Sequence, residues 1–104
     1  MITRKVLFVC SANRCRSPMA EAIFKQMDND NHRQGNSIEI KSAGTFFRTD
    51  GAPAMENAVV VMAERGLDIS SHRAQSINDV LVDWSDLVLT MTSTHKQHIE
   101  TNLY

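Results

Sequence analysis

The sequence predicts one α/β domain, a three-layer α/β/α arrangement with a central parallel sheet. Three observations carry that prediction. Lys5 to Val9 is a short apolar run rich in β-branched residues at the start of the chain, the pattern of a strand buried on both faces. Ser17-Pro18 follows it and leads into a helical apolar period. Further on, strand-like and helix-like segments continue in the order β-α-β-α-α-β-α, which implies a parallel sheet with right-handed crossovers. At 104 residues the chain has room for one domain, with no linker and no repeat.

Each element has its own signal. Ser17 is an N-cap candidate with Pro18 at the first helical position. Met19, Ile23 and Met27, flanked by Ala20 and Phe24, make one helical face that ends near Asp28 to Asn31. Asp28 to Ser37 reads as a loop. Ile38 to Ser42 alternates apolar and polar residues, as a half-buried edge strand does. After a loop from Ala43 to Gly51, Pro53 opens a second helix with Met55, Ala58, Val59 and Met62 inward and Gly66 as its stop. A short third helix is expected from Ser76 to about Val82, with Asp79 completing a capping box. Asp86 to Thr90 reads as a third strand and Thr94 to Asn102 as a final helix.

Composition narrows the function classes. Hydrophobic residues make up 42% of the chain, enough for a core, and the net charge is −1 from 11 basic and 12 acidic side chains. That balance speaks against nucleic-acid or anionic-membrane partners. The apolar runs Val6–Cys10 and Ala58–Ala63 are too short for a membrane span or a signal-peptide core, so a cytoplasmic location is expected. In that setting Cys10 and Cys15 are not expected to form a structural disulfide, and two ligands do not make a metal site. Neither a metal nor another cofactor is expected.

The chemistry is concentrated in Val9-Cys10-Ser11-Ala12-Asn13-Arg14-Cys15-Arg16-Ser17-Pro18. The segment reads as the carboxyl end of a strand, a loop and a helix start, which is where α/β folds bind ligands. Successive backbone N–H groups from Ser11 to Arg16 can form an anion nest, and the helix dipole adds positive potential. A cysteine in such a place is expected to be a thiolate nucleophile. Arg16 can return a planar guanidinium to the same centre and hold two phosphoryl oxygens, and Ser17 can hydrogen-bond the thiolate. These parts together describe attack on a phosphomonoester through a phosphocysteine. The glycine-rich loop ending in Gly-Lys-Ser/Thr is absent, so nothing points to a nucleoside triphosphate.

The run from Cys10 to Glu21 resembles the signature of the low-molecular-weight protein tyrosine phosphatase family. The likeness continues through Ser42-Ala43-Gly44-Thr45, Gly66 to Ala74, and Asp86 to Thr92, so that it covers essentially the whole chain. The resemblance implies a small, metal-free cytoplasmic phosphatase with Cys10 as nucleophile and Arg16 as phosphate clamp. It implies that Asn13, Ser42 and His72, together with Ser17, form a buried polar network that holds the loop. It also offers Cys15 as the redox partner that traps oxidised Cys10 as a disulfide, although Cys15 reads equally as a core thiol. The implied substrates are phosphorylated proteins or small aryl phosphates.

The sequence also departs from the family. Its only prolines are Pro18 and Pro53, so the family's Asp-Pro general acid has no counterpart, and the last strand and closing helix are expected to be missing. Loss of a general acid removes roughly 10²–10⁴ in rate, mostly for poor leaving groups. The third strand is then expected to have an unpaired edge, through which two chains could form a homodimer. Ala12 stands where the family commonly has glycine, which matters if that residue takes positive φ. Arg14 stands where tyrosine-directed members carry an aliphatic residue and an arginine-phosphatase branch carries threonine. Other readings are an inactive phosphate-binding module and arsenate reduction, the latter disfavoured because no cysteine follows Cys15. His32, His95 and His98 read as solvated, the Met19, Met27, Met55 and Met62 series as core, and Asp83 and Asp86 as cap and loop residues.

Overall fold

β1, Ile2–Cys10, is the middle strand of a three-stranded sheet in the computed structural model, which describes residues 2–30, 36–46 and 48–102. It pairs in parallel with β2, Asn36–Gly44, along its whole length and with β3, Leu87–Thr90, from Val6 to Val9. Its central position explains the unbroken apolar run. Leu7 and Val9 point to one face and Val6 and Phe8 to the other, and all four are buried. His32 and Tyr104 lie outside the described residues.

The four helices are α1, Arg16–Asp30, α2, Glu56–Glu64, α3, Asp79–Trp84, and α4, Ser93–Asn102. On one face Leu7, Val9 and Ala43 pack with Leu81 and Val82 of α3 and Ile99 of α4. On the other, Val6, Phe8 and Ile40 meet Ala20 and Phe24 of α1, and the Phe8 and Phe24 rings meet edge to face at 5.6 Å. A second side of α1, Met19, Ala22 and Ile23, packs on a cluster of Ala54, Ala58, Met62 and Ile69. The expected order of elements and the α/β layering are therefore present.

Several local expectations are corrected. α1 begins two residues earlier than Pro18, at Arg16, with Met19 N–H bonded to Cys15 O. Ser17 is therefore inside the first turn rather than capping it, and its hydroxyl is turned to Cys10 and Asn13. Pro18 is tolerated there because first-turn N–H groups have no helical acceptor. α2 begins at Glu56, since Pro53 bridges Arg73 and the Met55 N–H is committed to Arg14 O. Its end matches expectation: Gly66, at φ 78°, lets Leu67 and Gly66 donate back to Met62 O and Ala63 O, a Schellman closure.

α3 is capped by Asn78, whose side chain accepts from Leu81 N–H, and not by Ser76, whose hydroxyl donates to Asp50. Within the methionine series Met62 is buried and Met19 packs against the same cluster, but Met27 and Met55 are 54% and 41% exposed. Met27 falls on the solvent side of α1, and Met55 precedes α2 rather than riding on its inner face.

Candidate active site

Residues 11–15 form the loop between the carboxyl end of β1 and the start of α1. Asn13 is the one non-glycine at positive φ among the described residues, at 56°. A left-handed residue of this kind costs about 1–2 kcal/mol. Five hydrogen bonds, each worth about 0.5–1.5 kcal/mol net, hold Asn13 there. Its Nδ2 donates to Ser17 Oγ at 2.8 Å and to Ser42 Oγ at 2.9 Å, and its Oδ1 accepts from Gln75 N–H at 2.9 Å. Its N–H points at Cys10 Sγ at 3.3 Å, and its carbonyl accepts from His72 Nε2 at 2.7 Å. Ala12 does not take positive φ, so a side chain there carries no such strain; the left-handed turn falls one residue later.

Ser42 carries the network outward. Its hydroxyl accepts from Asn13 and so donates to Glu21 Oε1, 2.6 Å away, while Glu21 Oε2 pairs with Lys25 at 2.6 Å. Gln75 Nε2 donates to Ser42 O. Gly44 lets the loop sit against the end of β2. A Cβ there would lie 2.7 Å from Ser11 O and 2.9 Å from both Ala12 C and Asn13 N, all backbone atoms.

Cys10 is buried at the centre of this frame, 2% exposed. Ser17 Oγ lies 2.9 Å from its sulfur and accepts from Asn13 Nδ2, which can only donate. The Ser17 proton is therefore free to point at sulfur. Together with the Asn13 N–H this makes two donors on one sulfur, an arrangement that stabilises negative charge there.

Arg16 is exposed at the rim, with Nη2 3.5 Å from Ser11 Oγ. Arg14 is held sideways: its Nε donates to Pro53 O at 2.8 Å and its carbonyl accepts from Met55 N–H at 2.7 Å. Ala12 O accepts from Thr49 Oγ1. Cys15 is half-buried against the cluster of Ala54, Ala58, Met62 and Ile69, and both cysteines are free thiols.

One expectation about histidine is overturned. His95 is 4% exposed, and its Nε2 lies 2.9 Å from Ser11 Oγ. α4 docks its first turn beside the loop, so this side chain faces inward. Burial, then the Arg16 charge and then His98, hold the imidazole below the usual histidine range. His98 is half-buried, on the same helix. Asp86 is a strand-end residue that accepts from Lys5 N–H, whereas Asp83 lies inside α3.

The family model described as low molecular weight phosphotyrosine protein phosphatase matches residues 5–103. The chain belongs to that family. A protein-arginine-phosphatase of Geobacillus stearothermophilus is 39% identical over 91% of this chain and 59% of its own length. A probable low molecular weight protein-tyrosine-phosphatase of Ralstonia nicotianae is 41% identical over 94% of this chain and 62% of its own. The chain thus spans about three fifths of the length of the curated relatives it matches. Among solved structures, the low molecular weight protein tyrosine phosphatase of T. tengcongensis superposes with a TM-score of 0.86 at 44% identity, covering 95% of this chain and 65% of that one.

For this member of the phosphatase family, the motif located Cys10, Asn13, Ser17, Ser42 and His72, which the structure brings into one hydrogen-bonded unit. Gln75, Gly44 as a contact and His95 carried no assigned role in the sequence. The only sequence hint for His95 is Ile99 four residues later, which marks the buried side of α4.

Proposed function

We propose that this chain carries the phosphate-binding loop and nucleophile of a cysteine-dependent phosphatase that acts on phosphotyrosine-type aryl monoesters. The observation that supports this best is the paired donation of Ser17 and Asn13 to a single buried sulfur, Cys10 Sγ. In the first step Cys10 Sγ attacks phosphorus, an S–P bond forms, and the P–O bond to the phenol breaks with its electron pair leaving on oxygen. The loop N–H groups and the Arg16 guanidinium offset the charge on the equatorial oxygens. In the second step water attacks phosphorus, the S–P bond breaks, and inorganic phosphate leaves with the thiolate restored. Asn13, Ser42 and His72 shape the loop, and Cys15 is the candidate partner for an oxidised Cys10.

Arg14 favours phosphotyrosine over phosphoarginine. A phosphoarginine side chain brings its own guanidinium, and Arg14, tied through Nε to Pro53 O, adds a like charge to the loop, whereas an aryl phosphate brings no cation. Phosphoarginine remains the second reading, on the strength of the arginine-phosphatase relative at 39% identity. Hydrolysis of a series of aryl phosphates tests the chemistry: the rate should rise steeply as the phenol becomes more acidic, and a flat response would contradict attack without assistance to the leaving group. Self-association through the open side of β3, where Leu87 and Leu89 are 50% and 36% exposed, is a separate proposal.

A further inference from the structure

His95 is a buried titratable side chain that touches the loop and has no part in the steps above. Its Nδ1 faces the Thr92 backbone N–H at 3.2 Å, and its own N–H points to Thr92 Oγ1 at 3.4 Å. The cap fixes the first turn of α4 and with it the ring. A backbone N–H can only donate, so Nδ1 holds a lone pair and the proton of the neutral ring sits on Nε2. Nε2 therefore donates to Ser11 Oγ, 2.9 Å away. Arg16 Nη2, at 3.5 Å from the same oxygen, is likewise a donor only. With Ser11 Oγ accepting on this side, its single proton is released toward the mouth of the loop.

We propose that His95 is a positioning residue that turns the Ser11 hydroxyl into a fixed donor for a bound phosphoryl oxygen. The proposal rests on the phosphatase reading of the same loop. The neutral ring fits this place best: an imidazolium would still donate from Nε2, but it would set Nδ1–H against the Thr92 N–H and displace the Thr92 hydroxyl proton from the same nitrogen. The charges that face the ring work in the same direction: Arg16 approaches from α1 and His98 from its own helix, and neither stabilises a second positive charge. The alternative for His95 is a packed core histidine whose contact with Ser11 does nothing to the anion.

A double-variant cycle separates the two. Inorganic phosphate is titrated into the wild-type chain and into His95→Phe, Ser11→Ala and the double variant, followed by NMR, and p-nitrophenyl phosphate turnover is measured beside it. Each single variant should weaken phosphate binding about 10- to 100-fold, the worth of one hydrogen bond to a charged group. The double variant should bind no more weakly than Ser11→Ala alone, because His95 acts through Ser11. His95→Gln, which can accept from Thr92 and donate to Ser11, should recover most of the affinity. Long-range ¹H–¹⁵N spectra of the wild type should show the Nε2–H tautomer. Additive losses in the double variant, or an Nδ1–H tautomer, would overturn the proposal. If His95→Phe fails to fold, the tautomer and His95→Gln still decide it. Binding and tautomer are read without turnover, so an inactive wild-type chain would count against the phosphatase reading alone.

Discussion

Ser17 Oγ lies 2.9 Å from Cys10 Sγ while it accepts a hydrogen bond from Asn13 Nδ2. The serine thus relays the amide's order to the sulfur: Asn13 fixes the direction of the Ser17 proton, and the proton supports charge on Cys10. Seven residues of sequence separate nucleophile and hydroxyl, and the first turn of α1 brings them together.

Ser17→Ala removes one of the two donors on sulfur and leaves the helix intact. Turnover should fall about 10- to 100-fold, as expected for a hydrogen bond to a charged group. The rate of thiol alkylation by iodoacetamide at neutral pH should fall with it. Unchanged alkylation would show that Ser17 does not act on the sulfur.

Gly44→Ala places a Cβ within 3.0 Å of three backbone atoms of the loop. The loop must move, so the variant should lose about 1–3 kcal/mol of stability in urea unfolding, the usual cost of overpacking. Phosphate affinity should fall as well. Wild-type affinity would show that the loop tolerates displacement from β2.

How much of this was legible in the sequence follows from what each residue depends on. The strand, the loop and the place of Cys10 at the strand's carboxyl end were readable because they depend on order along the chain: an apolar run, then a loop, then a helix start. That the left-handed residue is Asn13 was not readable, because the turn's handedness depends on partners in β2 and on Gln75, which no local pattern displays. His95 was missed for a related reason. Thr94, Lys96 and Gln97 around it read as a solvated face, and its burial arises from a contact 84 residues away. Ser76 lost the cap of α3 to Asn78 because the helix starts three residues later than its pattern suggested.

Acid should destabilise the fold through His95. The folded state holds its imidazole below 6.5, so as pH falls through 6.5 the unfolded chain takes up a proton that the folded chain refuses. Stability contributed by the neutral ring is therefore present above 6.5 and lost as pH falls toward the folded-state value. Asp68, lowered by hydrogen bonds from Ser70, acts only in the carboxylate range. Urea unfolding at a series of pH values should show a slope just below 6.5 that flattens in His95→Gln. An identical slope in both would contradict the assignment.

Arg14→Ile should raise activity on phosphoarginine relative to phosphotyrosine, since it removes a cation from the loop. The ratio of kcat/KM for the two substrates measures this, and a shift in the opposite direction would mean that Arg14 does not face the substrate.

The β3 edge should make the isolated 104-residue chain self-associate. Sedimentation velocity should show a dimer that Leu87→Lys shifts to monomer. A clean monomer in the unaltered chain would contradict this.

The most direct test of the central claim is hydrolysis of p-nitrophenyl phosphate by the 104-residue chain beside Cys10→Ser. The former should release measurable nitrophenol and the latter none, with both folded. Equal rates in the two, or silence from both, would contradict Cys10 as the nucleophile of a working phosphatase.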